Sequence, residues 1–352
     1  MLAAEVVTVT RSTEAQRQSY DVVVVGGGTA GLSAALGLGR SRRSVLVIDA
    51  GEPRNAPADH MHGYLSRDGM PPAEFLAVGR AEVESYGGEI ISGRVEKVAP
   101  DTAGEADVRL TDGSVVHGRR VVIATGLVDE LPDIPGLAGR WGRDVLHCPY
   151  CHGYEVRDQA FGVIARPEMG AHQALLVTQW SKDVTLFLHQ VQELPDEQWQ
   201  QLAAAGVRVV TGEVAEVVVE DDRLTGVRLA SGEFFARDVL FTATRPVART
   251  EMLPELTGDA VKQTPFGPFP AVDEAGRSGL PGIWIVGNAM GPAEMVVNSA
   301  SAGYRAGTLI NAELVFADLA RAAEERRAGV FTSEAEREVA ELTPAGRRHG
   351  LG

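Results

Sequence analysis

The chain has two cysteines in 352 residues, and both fall inside one short stretch, His147-Cys148-Pro149-Tyr150-Cys151-His152-Gly153-Tyr154-Glu155. A C-x-x-C pair can ligate a metal, staple a loop or exchange electrons. Zinc asks for four ligands, usually from two separated pairs. Here there is no second cysteine pair, and His147 and His152 adjoin the cysteines too closely to complete a tetrahedron from one short loop. A staple across so short a loop constrains little unfolded chain. Redox exchange is the remaining chemistry: one thiol attacks outward while the other resolves the mixed disulfide. The thiolate is the reactive form, and a nearby base lowers its pKa. His152, directly after Cys151, is suited to move protons near neutrality. His147 reads as a packing or backbone-bonding residue. Cys148, Cys151 and His152 are therefore the candidate catalytic residues.

A second set of residues carries binding chemistry. The apolar run at 20–25 ends in Gly26-Gly27-Gly28-Thr29-Ala30-Gly31, and an apolar helical stretch follows. Gly26, Gly28 and Gly31 fit G-x-G-x-x-G. The first permits the turn, the second admits a pyrophosphate to the backbone, and the third lets helix pack on strand. The N–H groups opening the helix, around Thr29 and Ala30, favour the phosphate. A buried strand at 44–48 then closes on Asp49, eighteen residues beyond Gly31, where a carboxylate accepts ribose hydroxyls. Spacing alone does not separate FAD from NAD.

The elements that must position these residues read as a βαβ unit over 20–49, a helix at 72–86, and strands at 89–99, 107–111 and 114–117, the last two joined by Asp112-Gly113. Another buried strand at 120–124 ends at Thr125-Gly126. Residues 127–145 read as a domain crossing. A second βαβ-like set starts at Phe161, with helices near 170–181 and 196–205 and strands at 183–188, 207–211, 213–220, 224–229 and 238–243. Its turn reads Ala165-Arg166-Pro167-Glu168-Met169-Gly170. Two glycines are missing, Pro167 lacks an N–H, and Glu168 sets an anion where a phosphate belongs. This half is expected to be a structural domain without a working dinucleotide site. A Pro-rich connector at 244–270 precedes a strand at 280–286, Gly287-Asn288, and a long helix from about 294 to 327.

The bulk numbers agree with a two-domain globular protein. A hydrophobic fraction of 44% and a charged fraction of 23% are ordinary, and a net charge of −15 disfavours nucleic acid and anionic membrane surfaces. No apolar run matches a membrane span. The N-terminus lacks a secretory pattern, which places the chain in the cytoplasm.

In combination, VVVVGGGTAGLSAAL at 22–36, ATG at 124–126, IVGNA at 285–289 and the intervening C-x-x-C resemble the low-molecular-weight thioredoxin reductase family over about residues 20–315. The resemblance implies an α/β fold of two Rossmann-like, three-layer ββα nucleotide-binding domains, the second inserted in the first. It implies a tail at 1–19, an FAD-binding domain at 20–126 plus 245–330, an NAD(P)H-like domain at 127–244 carrying the C-x-x-C, and a polar tail at 331–352. Gly26, Gly28, Gly31 and Asp49 match the ADP end of FAD, Thr125-Gly126 the return strand, and Gly287-Asn288 the turn at the ribityl chain. A homodimer is implied too.

The departures point to one branch. His152 replaces the family's Asp, Asn288 replaces its late Asp, and the NADPH glycines and arginines are degraded. With RNAPADHMHG at 54–63 and CPYCHGYE at 148–155, the chain is similar to the dithiol oxidases that close the disulfides of gliotoxin, holomycin and related natural products. That branch implies electrons passing from a small-molecule dithiol to the cysteines, to FAD, and to O2, giving hydrogen peroxide. It also brings Asn55 near the flavin, with Arg54, His60 and His62 on the same loop. The alternatives are a thioredoxin reductase fed by NADPH or ferredoxin, and a flavin redox sensor without turnover.

Overall fold

The computed structural model describes residues 18–330 apart from Glu168 and Gly170, together with positions 333, 334 and 337. The expected tails at 1–19 and 331–352 fall almost wholly outside the described residues, as do Glu168 and Gly170 of the second turn.

The chain enters through β1 (Ser19–Val25), α1 (Thr29–Arg40), β2 (Val45–Asp49), α2 (Pro72–Ser85), β3 (Glu89–Ser92), β4 (Val95–Pro100), β5 (Ala106–Leu110) and β6 (Val115–Ile123). It crosses along β7 (Leu127–Glu130) into β8 (Val145–Leu146), α3 (Pro149–His152), β9 (Phe161–Ile164), α4 (His172–Val177) and β10 (Val184–Phe187). There follow α5 (Asp196–Ala204), β11 (Arg208–Val210), β12 (Val214–Glu220), β13 (Arg223–Leu229), β14 (Phe234–Ala236) and β15 (Val239–Thr242). The return runs along β16 (Arg245–Ala248), then β17 (Val261–Thr264), β18 (Gly267–Pro270), β19 (Ile283–Ile285) and α6 (Val296–Val330).

The first sheet has the order β3-β2-β1-β6-β5-β4, with β19 also on β6. Strands β3, β2, β1, β6 and β19 are parallel. The two runs expected at 114–117 and 120–124 form one long strand, because β1 backs it continuously from His117 to Ile123. On its other edge β5 pairs with the first part of β6 and β19 with the last. The run expected at 89–99 breaks at Gly93-Arg94, where parallel β3 ends and antiparallel β4 begins. Val22 to Val24 are fully buried, as an apolar run sandwiched on both faces must be. Helices α1, α2 and α6 cover one face, and the β4–β5 side and Leu253 close the other. Helix α6 lies close on α1 through glycines. A β-carbon at Gly303 would stand 1.9 Å from the Ala30 carbonyl oxygen, and one at Gly307 2.6 Å from that of Ala34.

The second sheet, β11-β10-β9-β15-β8, is parallel throughout and lies between α4–α5 and the antiparallel sheet β12-β13-β14. Both halves are thus three-layer ββα units, and the second is inserted in the first. The crossing is a pair of antiparallel strands, β7 on β16, so the stretch at 244–270 is not a plain connector; it also holds the β17–β18 hairpin. Helix α4 is shorter than the expected 170–181, and α6 starts at Val296 rather than near 294. No helix among the described residues is long and apolar enough to cross a membrane.

Candidate functional site

The parallel strands of the first sheet end at one edge. The turn after β1, Asp49 closing β2, Thr125-Gly126 after β6 and Gly287-Asn288 after β19 all sit there, the edge at which open α/β sheets bind ligands. Gly26 has φ +106°, and a β-carbon on it would meet the Ala124 carbonyl oxygen at 2.5 Å. A β-carbon on Gly31 would meet the Gly26 carbonyl oxygen at 1.9 Å, so the helix cannot approach the turn with any side chain there. Gly28 differs: a β-carbon there would touch nothing within 4 Å, so the backbone is bare on its open side. That is what a pyrophosphate needs. Thr29 and Ala30 open α1 immediately beyond.

Asp49 is more engaged than its place in the sequence suggests. Its Oδ1 accepts the Gly27 N–H at 3.0 Å, and its Oδ2 pairs with the Arg80 guanidinium. Burial pushes the carboxyl up, but Arg80 and the N–H groups of Gly27 and Gly51 outweigh it and hold Asp49 below its usual range. A carboxylate has further lone pairs, so it can still accept a ribose hydroxyl. Gly27 and Arg80 were not legible as site residues. A β-carbon on Gly27 would strike the Asp49 carboxyl carbon at 2.7 Å. Beside this pair a cavity of about 380 Å³ opens, lined by Asp49, Arg80, Ser92 and Arg94 among others. The bare turn, the tethered carboxylate and this cavity fit the ADP end of FAD.

At the same edge the Thr125 hydroxyl donates to the Arg249 carbonyl, and Gly126 has φ +72°. The Asn288 amide donates to the carbonyls of Gly291 and Pro292 at 3.2 and 3.4 Å, which aims its oxygen away from that loop. Asn55 is half-buried, and its carbonyl accepts the Ala58 N–H in a turn. Arg54, on the same loop, makes a two-pronged pair with Asp129 on β7 at 2.6 and 2.8 Å, and the Thr244 hydroxyl donates to the same carboxylate at 2.6 Å. Burial raises the Asp129 carboxyl, but Arg54 and Thr244 bring it below its usual range. The 54–63 loop is therefore tied to the crossing between the halves.

Strand β8 ends directly at His147-Cys148. Cys148 and Cys151 are joined as a disulfide with Cα atoms 5.3 Å apart. Cys148 caps the one-turn helix α3, and its carbonyl accepts the N–H groups of Cys151 and His152. Pro149 suits the first helical position, where no N–H is required. Gly153 leaves room for Trp180, whose ring would lie 3.0 Å from a β-carbon there. Tyr150 stands edge-on to Trp180 at 5.5 Å and, like Tyr154, is 65% exposed. His147 is structural: its Nδ1–H donates to the Thr242 carbonyl at 3.2 Å, while Gln173 donates to its own carbonyl at 2.7 Å. Burial lowers its pKa.

Both ring nitrogens of His152 are buried with no hydrogen-bond partner in the protein. Burial lowers its pKa, and Glu155 opposes this. The ring is therefore neutral near pH 7 and able to take a proton. The 54–63 loop of the first half reaches this spot. His62 Nε2 lies 3.5 Å from Glu155 Oε1, and a β-carbon on Gly142 would meet that of Pro57 at 2.8 Å. The disulfide thus lies near the junction of the two halves, on the side where the loop from the FAD edge docks. His60 is exposed.

The second turn is not rebuilt in three dimensions. After β9 stand Ala165, Arg166 and Pro167, and α4 begins only at His172. His189, beyond β10 in the position of Asp49, spends its Nδ1 on the Val214 N–H at 3.0 Å.

Residues 20–307 match the model of the pyridine nucleotide-disulphide oxidoreductase family. The thioredoxin reductase tcpT of Claviceps purpurea is 32% identical over 309 residues, 85% of this chain and 95% of its own. The thioredoxin reductase sirT of Leptosphaeria maculans is 31% identical over 322 residues, 86% and 96%. Among solved structures, HlmI is 47% identical, with 90% of this chain and 98% of its own covered and a TM-score of 0.84.

Proposed function

The chain belongs to the pyridine nucleotide-disulphide oxidoreductase family and is an FAD-dependent, thioredoxin reductase-like thiol/disulfide oxidoreductase; from that premise we propose that it oxidises a small-molecule dithiol to a disulfide, with O2 as the final acceptor. One observation carries this direction. The only disulfide is set near the junction beside a neutral imidazole, while the turn of the second half that should receive NADPH opens Ala165-Arg166-Pro167 in place of glycines.

In the proposed exchange, His152 takes a proton from the first substrate thiol. The thiolate attacks Cys148 Sγ, the Cys148–Cys151 bond breaks, and Cys151 leaves as a thiolate. The imidazolium of His152 stabilises that charge. The second substrate thiolate attacks the substrate sulfur of the mixed disulfide and releases Cys148. The substrate disulfide is formed, two protons are given up, and the cysteine pair holds the two electrons. Gly26, Gly28, Thr29, Ala30, Gly31, Asp49, Thr125, Gly126, Gly287 and Asn288, with Asn55 nearby, would hold FAD, which would supply the two-electron acceptor for the cysteine pair, with O2 as the final acceptor. The sum is dithiol plus O2 to disulfide plus H2O2.

The second reading is a reductase that draws on NADPH, favoured by the naming of tcpT and sirT as thioredoxin reductases. Anaerobic titration of the bound flavin separates the two. Bleaching by dithiothreitol but not by NADPH is expected; rapid bleaching by NADPH defeats the oxidase reading. A cytoplasmic homodimer completes the proposal. The apolar side chains that α6 leaves exposed, Phe316 at 71% and Leu319 at 61%, suit a second copy.

A further inference from the structure

Glu155 and His62 have no part in the exchange described above, yet they meet across the two halves beside its base. The ring of His152 is enclosed without a hydrogen-bond acceptor of its own. Once it takes the substrate's proton, it becomes a cation in a site where burial opposes charge. Two charged groups among the described residues act on it in opposite senses: Glu155, from the turn it shares, favours the protonated ring, and His62, from the loop of the other half, disfavours it. Left alone, Glu155 is 43% exposed and would swing into water, where its attraction is screened. It is not left alone. His62 Nε2 stands 3.5 Å from Glu155 Oε1, and His62 Nδ1 stands 3.4 Å from Asp68 Oδ2. Asp68 is fixed in turn by the Gly63 N–H at 2.8 Å. A chain Asp68–His62–Glu155 thus runs from the FAD-binding half to the edge of the redox turn.

We propose that Glu155, steered by His62 across the junction, is a positioning residue that supports His152 while it carries the proton taken from the substrate thiol. The electron pair and the bonds exchanged are those of the oxidase reading, on which this inference rests. Glu155 touches neither substrate nor sulfur. It makes protonation of His152 less costly, and the part of His62 is to hold that carboxylate beside the redox turn, since the charge of His62 itself acts against a second imidazolium.

The test is the anaerobic bleaching rate of the holoenzyme by dithiothreitol between about pH 5 and 8, where an imidazole titrates. The rate rises as the base becomes neutral. Glu155→Gln keeps the size of a surface side chain and removes its charge. It is expected to retain flavin and to move the acid limb down by roughly half to one pH unit. Glu155→Asp, which keeps the charge, is expected to return the limb toward wild type. Titration of the His152 ring by NMR, assigned with His152→Asn, should show the same downward displacement in Glu155→Gln. An acid limb and a ring titration unmoved by Glu155→Gln, in a wild type that dithiothreitol does bleach, overturn this inference and leave the oxidase reading standing. A wild-type flavin that dithiothreitol never bleaches overturns both.

Discussion

The two halves repeat one architecture, and their first turns show what became of each. After β1 the chain turns through Gly26, Gly27 and Gly28. The N–H of Gly27 is spent on Asp49, and Gly28 is left bare. After β9 the same corner is Ala165, Arg166 and Pro167. Arg166 Nε is buried without a partner, and the residue in the place of Asp49 is a histidine whose Nδ1 accepts the Val214 N–H. Both corners support a strand, a helix and a parallel neighbour, because those need only apolar runs and a reversal. On the oxidase reading only the first would hold a dinucleotide, because that needs a backbone with no side chain in the way and an anion aimed at a sugar. Fold and cofactor site are separable, and the second half has kept the fold while taking on the disulfide.

The comparison breaks most sharply at the sulfurs. Cys148→Ser or Cys151→Ser should take thiol-dependent oxygen uptake down to the level of a protein-free blank, since either change removes the disulfide. Uptake persisting in either variant would falsify the exchange. Next come the turns. Gly31→Ala forces a methyl against the Gly26 carbonyl at 1.9 Å, so purified protein should be nearly colourless and melt earlier. Gly28→Ala adds a β-carbon that meets no protein atom within 4 Å, so it should lose flavin while the flavin-free protein melts as wild type does. Arg166→Ala, at the matching corner of the second half, should change neither flavin content nor bleaching by dithiothreitol. If Arg166→Ala lowers either as Gly31→Ala does, the second corner is a working site after all.

The junction gives a smaller effect. Asp129 is the buried end of the Arg54 pair, and Asp129→Asn removes its charge but not its bulk. Thermal or urea unfolding should show a loss of ~1–3 kcal/mol, the worth of charged hydrogen bonds that are partly buried. The carboxyl is depressed in the folded protein. Its contribution is therefore complete above the unfolded value near 3.8 and fades as pH falls through the lower folded value. An acid-unfolding profile of Asp129→Asn that overlays wild type would sink this.

Most of the first half was readable from local pattern. Glycine spacing, the strand ending at Asp49 and the hairpin at Asp112-Gly113 each depend on a few neighbouring residues, and local pattern is what a sequence displays. The nucleophiles stood out for a different reason: two cysteines in a whole chain leave few alternatives. What escaped was made of partners far apart in sequence. Arg54 finds Asp129 75 residues on, Arg80 finds Asp49 31 residues back, and His62 finds Glu155 across the junction. No periodicity announces such pairs, since any exposed charge has many candidates. The split at Gly93-Arg94 escaped because apolar alternation continues through a change of sheet direction. His152 was legible as a base by type and place, but its burial was not.

The smallest effect expected lies where α6 closes the first half. Asp318 on that helix sits between Arg119, at 2.6 Å, and Arg43, at 3.1 Å, which also meet Asp21 in β1. Hydrogen bonds from Arg119 and then Arg43 hold its carboxyl down at about 2. The sign follows. Its contribution is present above the unfolded value of 3.8 and is lost as pH falls from there through about 2, so neutral protein keeps all of it. The group is partly open to water, so Asp318→Asn should cost under ~1 kcal/mol at neutral pH, and less in high salt. The helix itself should stay, because α6 is held to α1 by the close packing of Gly303 and Gly307 and not by this pair. Gly303→Ala is therefore the paired control. A β-carbon 1.9 Å from the Ala30 carbonyl pushes the helix off the turn that carries the flavin, so flavin should leave in that variant and stay in Asp318→Asn. Equal loss of flavin from both would mean that charge, not contact, seats the helix.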